Sequence, residues 1–216
     1  MATREGIGRA CWSVQPLYVV AELVVAAAAV GASAYSLLGD TVSDLGASAC
    51  TTSLCSPWHP AMNVVFIVFS LVRVVGAVAL RPSWRDVATW AWVLSGLSAA
   101  AVGLAPVDRM PTAHVLVATP VFVLQPLALM LTARRLAPTH PRVGRAGMVL
   151  AVVTALAAVA FLLAASGAPD PGTSLSGALE RLALWPVYLW LGLAARSVTV
   201  GPHVCSRAGR AGRAGS

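Results

Sequence analysis

Six apolar stretches divide this 216-residue chain, each close to the roughly 20 residues that a helix needs to cross a bilayer. Because 58% of the residues are hydrophobic and only 11% are charged, the chain carries more apolar surface than one soluble core can bury. Polar or proline-rich segments separate the stretches, and no linker or internal repeat marks a second domain. The pattern predicts an all-α polytopic integral membrane bundle of six transmembrane helices, at about 16–38, 60–80, 86–105, 113–133, 146–166 and 178–198.

The first apolar stretch has a second interpretation. Arg4 and Arg9 precede it and Ala32-Ser33-Ala34 lies near its end, a combination typical of a cleavable secretory signal. Its length and the glutamate inside it, Glu22, favour an uncleaved first span. We therefore predict a membrane helix here.

Arginines fall in alternate breaks between the apolar stretches, and cytoplasmic loops retain positive charge. This alternation predicts a multi-pass protein of the plasma membrane with a cytoplasmic N-terminal segment (1–15), a six-helix domain (16–198) and a basic, disordered cytoplasmic tail (199–216). The net charge of +7 is not gathered on one soluble face, so we expect the lipid bilayer as partner and no nucleic acid. The cytoplasmic arginines are Arg4, Arg9, Arg81, Arg85, Arg134, Arg135, Arg142, Arg145, Arg207, Arg210 and Arg213.

Two charged residues lie well inside apolar stretches rather than near their ends, Glu22 in the first and Arg73 in the second. Burying either charge alone in lipid costs at least a few kcal/mol. If the two helices are neighbours, both side chains lie at a similar depth, so we predict an intramembrane Glu22–Arg73 ion pair that joins the helices. Separate snorkelling to the interface is the alternative, and a proton or ion pathway is a third interpretation.

The break at about 39–59 is the longest between apolar stretches. Thr41 and Asp44 have the spacing of a capping box with Asp in place of Glu, which predicts a short helix start. Cys50 and Cys55 face an oxidising side in the predicted topology, so we expect a local disulfide. A zinc site with His59 is the alternative, but the chain lacks paired ligand motifs, and we predict neither a metal nor a cofactor.

Polar residues also mark the predicted outer ends of the other helices. An acid beside an imidazole suits general acid–base catalysis as well as ligand binding, and Asp108 with His114 is the only catalytic pair we single out. The alternative is that each group is simply solvated at the interface. We predict that these side chains converge in one binding pocket: Asp44, His59, Asn63, Asp108, His114, Glu180 and Arg181.

Several short motifs resemble one family of bacterial and archaeal membrane proteins, domain of unknown function 998. The motifs are Thr41–Ala47 (TVSDLGA), Ser56–Asn63 (SPWHPAMN), Pro106–Asp108 with His114, and Gly177–Arg181 leading to Trp185-Pro186 and Trp190. The resemblance spans most of the chain and implies a multi-helix membrane protein of unassigned biochemistry. It implies the Ser-Asp-Leu-Gly stretch, the Asn and the later Asp, His and Arg as recurring features, whereas the cysteine pair is a local addition. It supplies no substrate.

Three functions follow as hypotheses. The first is a membrane protein that binds a small molecule or a lipid headgroup at its extracytoplasmic face. The second is a membrane-embedded hydrolase or transferase acting on lipid-linked substrates, which requires Asp108 and His114 within about 3 Å, or one water, of each other. The third is a helix-packing scaffold or accessory subunit of an envelope complex, with an unspecified protein partner.

Overall fold

The computed structural model describes residues 3–51, 54–167 and 175–198, which fold into α-helices joined by loops. The prediction of an all-α fold is confirmed within these ranges, where the β-type pairing is a single isolated bridge between Cys50 and Cys55. Residues 199–216, predicted as a disordered tail, lie outside the described part. The helices are α1 (Arg4–Ser13), α2 (Leu17–Ala32), α3 (His59–Leu80), α4 (Val87–Val102), α5 (Pro111–Leu136), α6 (Pro141–Gly167) and α7 (Ser176–Ala194), with a short 3-10 helix at Ser43–Gly46.

The helix starts follow local sequence signals. Proline lies in the first turn of α3, α5 and α6, where its missing N–H costs no hydrogen bond. The Asp86 side chain caps α4 by accepting a hydrogen bond from Thr89 N at 2.9 Å. The helix α5 continues through Pro120 and Pro126, and the Ser98 hydroxyl of α4 donates to the Val117 carbonyl just before Pro120.

The first two helices form one rod. A single turn joins α1 to α2, with Leu17 N donating to Val14 O at 3.0 Å, and Arg4–Ala32 makes a continuous run of 29 residues. The first membrane helix was predicted to begin at residue 16. The rod begins twelve residues earlier, at Arg4. Every side chain on α2 therefore lies further from the N-terminal end of the rod than the predicted start implies.

Helices that follow each other in the chain pack side by side from α3 to α7, and α1 closes the arrangement by packing against α3 and α7. Two apolar clusters fill the interior. Tyr18, Phe66 and Phe122 belong to one, and Trp92 and Trp190 to the other. Close approach of α4 to α3 depends on Gly103, because a Cβ there would lie 2.5 Å from Asn63 O.

The outward faces of the helices carry many exposed apolar side chains. Leu116, Leu156 and Leu193 are each about two thirds exposed, on three different helices. The rod Arg4–Ala32 and the helices α3, α5 and α6 are long and apolar enough to cross a membrane, whereas α4 is a shorter apolar helix. Such surfaces suit hydrocarbon better than water.

The two ends of the bundle differ in charge. At the end that we call the basic end, Arg4 donates to Arg81 O at 2.6 Å, Arg135 pairs with Asp86, and Arg9 donates to Val198 O at 3.1 Å. The opposite end is covered by the segment 33–51, its continuation 54–58 and the loop 103–110, which together we call the loop cap. Most of the predicted site residues lie at this second end.

Candidate functional site

The site is organised by the 3-10 helix Ser43–Gly46 in the loop cap. The predicted capping box is formed, because Thr41 N donates to Asp44 Oδ2 at 2.8 Å and Asp44 N donates to Thr41 Oγ1 at 3.1 Å. Burial raises the pKa of the Asp44 carboxyl, and the hydrogen bonds from Thr41 oppose part of that rise. Asp44 therefore shapes the turn through its Oδ2.

The 3-10 helix is fixed on the start of α3. Asn63 Nδ2 donates to Gly46 O at 3.0 Å, and a side chain at Gly46 would collide with the Asn63 amide. The Ser56 hydroxyl is buried and donates to Leu45 O at 2.7 Å. The predicted site residue Asn63 thus binds the backbone of the Ser-Asp-Leu-Gly motif.

Glu180 of α7 and His114 of α5 meet at Ser43. The buried Glu180 carboxylate accepts from Val42 N at 2.5 Å and from the Ser43 hydroxyl at 3.1 Å. His114 Nε2 lies 3.1 Å from Ser43 Oγ, and its Nδ1 lies 2.7 Å from Ala105 O. We call Ser43, His114 and Glu180 the polar triad.

The hydrogen bonds restrict where the protons of the triad lie. A backbone carbonyl can only accept, so His114 Nδ1 carries the proton of its bond to Ala105 O. In the neutral imidazole, Nε2 is then an acceptor that faces Ser43 Oγ. The single hydroxyl proton of Ser43 can serve either Nε2 or the Glu180 carboxylate, which lets the hydroxyl switch between two acceptors.

A cavity of about 30 Å³ is lined by two members of the triad, Ser43 and Glu180. Ser43 and Glu180 form its polar end, and the phenol rings of Tyr18 and Tyr188, stacked with centroids 3.9 Å apart, form part of its wall. The space admits water or one small polar group. The remaining lining is apolar and comes from α3, α4, α5 and α7: Phe66, Ala99, Val102, Ala118, Val121, Phe122 and Leu184.

Arg181 holds the last helix to the loop cap. Its Nη1 donates to Leu37 O at 2.7 Å and to Asp40 O at 2.9 Å, and its Nη2 donates to the Tyr35 hydroxyl. All of these groups belong to one turn of the cap. The buried guanidinium is therefore occupied by the protein itself.

The predicted Glu22–Arg73 ion pair is wrong. Glu22 Oε1 lies 2.9 Å from Arg181 Nε, within ion-pair distance although not aligned as a hydrogen bond, and Glu22 Oε2 accepts from Trp185 Nε1 at 2.7 Å. Arg73 instead donates to Gln125 Oε1 at 2.8 Å. The sequence placed Glu22 at the same depth as Arg73 because it counted from residue 16. The first rod begins at Arg4, so Glu22 lies further from the basic end, at the level of Arg181 and Trp185 on α7.

Asp108 and the cysteines form a separate part of the cap. Cys50 and Cys55 are joined in a disulfide, and Asp108 holds the preceding turn by accepting from Ser48 N at 3.0 Å and Ala49 N at 2.9 Å. Slight burial raises the pKa of the Asp108 carboxyl, but the hydrogen bonds from Ser48 and Ala49 outweigh it and hold the pKa below its usual range.

The predicted pocket residues thus divide into two groups, and His59 lies outside both. Asp44, Asn63, His114 and Glu180 surround the 3-10 helix, while Asp108 and Arg181 bind other turns of the cap. Among the described contacts, Asp108 and His114 share no hydrogen-bond partner, and the His59 side chain forms no hydrogen bond. In the same part of the chain, no group of three or more His, Cys, Asp or Glu residues is placed to hold a metal ion.

The central residue that the sequence reasoning missed is Ser43, and Tyr35 and Trp185 were missed as partners of Arg181 and Glu22. Ser43 lies inside the capping box of Thr41 and Asp44, and a hydroxyl within such a turn is the sequence signal that could have indicated it. Nothing in the sequence indicates the partners of Arg181, because they depend on how the cap folds over α7.

Long apolar helices with an apolar outer surface indicate a multi-pass membrane protein. The family profile described as "Protein of unknown function (DUF998)" matches residues 16–197, and the chain belongs to this family, which confirms the resemblance seen in the motifs. Searches of curated proteins and of solved structures found no match. The family description names no activity, so the function has to be argued from the site.

Proposed function

We propose that this protein crosses the plasma membrane six times and binds the polar head of a small amphipathic molecule, such as a lipid, at the polar triad. The arginine-rich basic end faces the cytoplasm, and the loop cap faces outward. The ligand offers a hydroxyl or amino group to Glu180 and Ser43, and its apolar chain passes between helices into the bilayer.

The observation that carries this proposal is a buried carboxylate that lines a mostly apolar cavity beside the Ser43 hydroxyl. Glu180 has two hydrogen bonds, and a carboxylate has about four lone-pair sites, so it retains the capacity to accept from a ligand. The cavity admits only a small group, which limits the bound part to a head such as a hydroxyl or an ammonium. Apolar pockets with a few polar groups are typical of small-molecule sites.

Binding can be tested with 1-alkanols and n-alkylamines of two to ten carbons, added to the purified full-length protein in detergent. We expect the unfolding temperature to rise with both series and to show no change with alkanes of equal length. Glu180→Gln should abolish the response to the amines. Glu5→Gln, the same change at an exposed ion pair with Arg9, should leave it intact.

Equal responses to alkanols and alkanes would refute a polar anchor at Ser43 and Glu180. In that case the cavity is only a packing defect. The scaffold hypothesis would then lead, since it requires no ligand.

A second candidate function is supported by Ser43 and His114. A hydroxyl within hydrogen-bond distance of an imidazole that a third group orients is the arrangement of an activated serine nucleophile. Here the third group is the Ala105 carbonyl. This arrangement favours a hydrolase or acyltransferase of lipid-linked substrates in which Ser43 attacks and His114 is the base, in place of the Asp108–His114 pair that we expected.

A fluorophosphonate probe distinguishes the two candidates, because it labels an activated serine covalently. Labelling that disappears in Ser43→Ala and in His114→Ala, but persists in Ser48→Ala, would establish the enzyme. If the probe does not react while the amines still bind, the binding function stands and the hydrolase does not.

A further inference from the structure

Arg73 is a buried cation in the middle of the bundle. It lies on α3 with no exposed surface, and its guanidinium lies 5.3 Å from the centre of the Tyr188 ring. Its Nη1 donates to Gln125 Oε1 at 2.8 Å and its Nη2 reaches Ser95 O at 3.4 Å. These neighbours are neutral groups, so none of them carries a negative charge that would balance the guanidinium.

The acidic residues of the described ranges are bound elsewhere. Glu22 pairs with Arg181, and Glu180 binds Val42 and Ser43. Glu180 lies eight residues before Tyr188 on α7, about 12 Å along the helix axis. The other acidic side chains lie at the two ends of the bundle, and Asp170 is outside the described ranges. Arg73 therefore has no carboxylate within ion-pair distance in the part of the chain that is described.

Donors around Arg73 also outnumber acceptors. Arg73 Nε, Gln125 Nε2 and Ser70 Oγ are all buried without a hydrogen-bond partner among the described residues. The orientation of the Gln125 amide is fixed, because Arg73 can only donate and so requires the oxygen. One buried acceptor between α1 and α2 also lacks a partner, Gln15 Oε1. The Nε2 of the same amide donates to Phe69 O at 3.3 Å.

We propose that Arg73, Gln125 and Ser70 bind a small monovalent anion such as chloride inside the bundle. The anion supplies the missing charge and accepts from the three unpartnered donors. An isolated charge in a low-dielectric interior costs several kcal/mol, so a counterion stabilises the folded protein. The site lies on α3 and α5, separate from the polar triad, and it does not depend on the proposed function.

The test measures the unfolding temperature of the purified full-length protein in potassium chloride and in potassium gluconate at equal ionic strength. We expect the wild-type midpoint to rise by about 3 to 5 °C for each tenfold increase in chloride above its dissociation constant. Gluconate is too large for the site and should give no rise. Arg135→Gln, which removes an arginine at the basic end, should respond to chloride as the wild type does.

Gln125→Glu is the decisive variant because it places a carboxylate where Arg73 already donates. Its midpoint in gluconate should exceed that of the wild type, and it should no longer respond to chloride. Equal wild-type midpoints in both salts, or a chloride response of Gln125→Glu as large as that of the wild type, would overturn the proposal. Either result would mean that Gln125, Ser95 and the Tyr188 ring alone accommodate the charge.

Discussion

At the scale of single residues, Glu22 and Arg181 form a buried ion pair between α2 and α7. Both side chains are buried, and each has further partners, since Glu22 accepts from Trp185 and Arg181 donates to cap carbonyls. Extra hydrogen bonds of this kind offset the cost of removing two charges from water. Removing one partner leaves the other charge buried and uncompensated.

Glu22→Gln should therefore lower the free energy of unfolding by about 3–5 kcal/mol, measured by denaturant titration in detergent. Glu5→Gln makes the same chemical change at the partly exposed pair with Arg9, and it should cost no more than about 1 kcal/mol. Similar losses in the two variants would show that the buried pair contributes no more than a surface pair.

At the scale of elements, the start of α7 is completed by the loop cap. Gly177 N and Ala178 N donate to Gly39 O and Leu38 O at 3.2 and 3.0 Å, which satisfies N–H groups that the first turn of a helix leaves open. A Cβ at Gly177 would lie 2.8 Å from Leu37 O and would overlap the Asp40 carbonyl. Glycine is required here by close packing.

Gly177→Ala should destabilise the protein by about 1–3 kcal/mol, because the loop has to move away from the helix. Gly31→Ala in α2 is the control, since no atom beyond the neighbouring backbone of its own helix lies within 4 Å of the new methyl group, and alanine favours a helix by about 0.5–1 kcal/mol. Thermal unfolding of both variants checks this. A loss of stability at Gly31, or none at Gly177, would contradict the packing argument.

The turn at Ser48 and Ala49, just before the Cys50–Cys55 disulfide, depends on an ionised Asp108. A pKa held below its usual range means that this carboxylate stabilises the docked turn above the unfolded-state pKa of about 4, and that the stabilisation disappears as pH falls through the lower folded-state pKa. Hydrogen-exchange protection of Ser48 and Ala49 should fall over this acidic window. In Asp108→Asn the protection should not change with pH, and a parallel fall in that variant would exclude Asp108 as the cause.

At the scale of the whole molecule, the proposed topology assigns each loop to one side of the membrane. Single cysteines at Met110 and Leu175 should react with a membrane-impermeant maleimide in intact cells, and those at Ser83 and Thr139 only after lysis. The background carries Cys11→Ser and Cys205→Ser. If α4 does not cross the membrane, the cysteines at Ser83 and Met110 will react on the same side.

The sequence predicted the helical class and most helix positions, because apolar length is a local property. The capping box at Thr41 and Asp44 was also predictable, since its partners lie three residues apart. The pairing of Glu22 was not, because its partner depends on which helix is adjacent and at what depth. The role of Ser43 was not predictable either, because its partners His114 and Glu180 lie on α5 and α7, far from it in the sequence.

The connection between the first and last helices also has a consequence for biosynthesis. Trp185 follows Glu22 by 163 residues, and Arg181 lies one turn before Trp185. A ribosome that adds about 5–20 residues per second needs roughly 8–33 s to make that length of chain. During this interval the glutamate of the nascent first helix has no partner, so we expect the insertion machinery to retain that helix until α7 emerges.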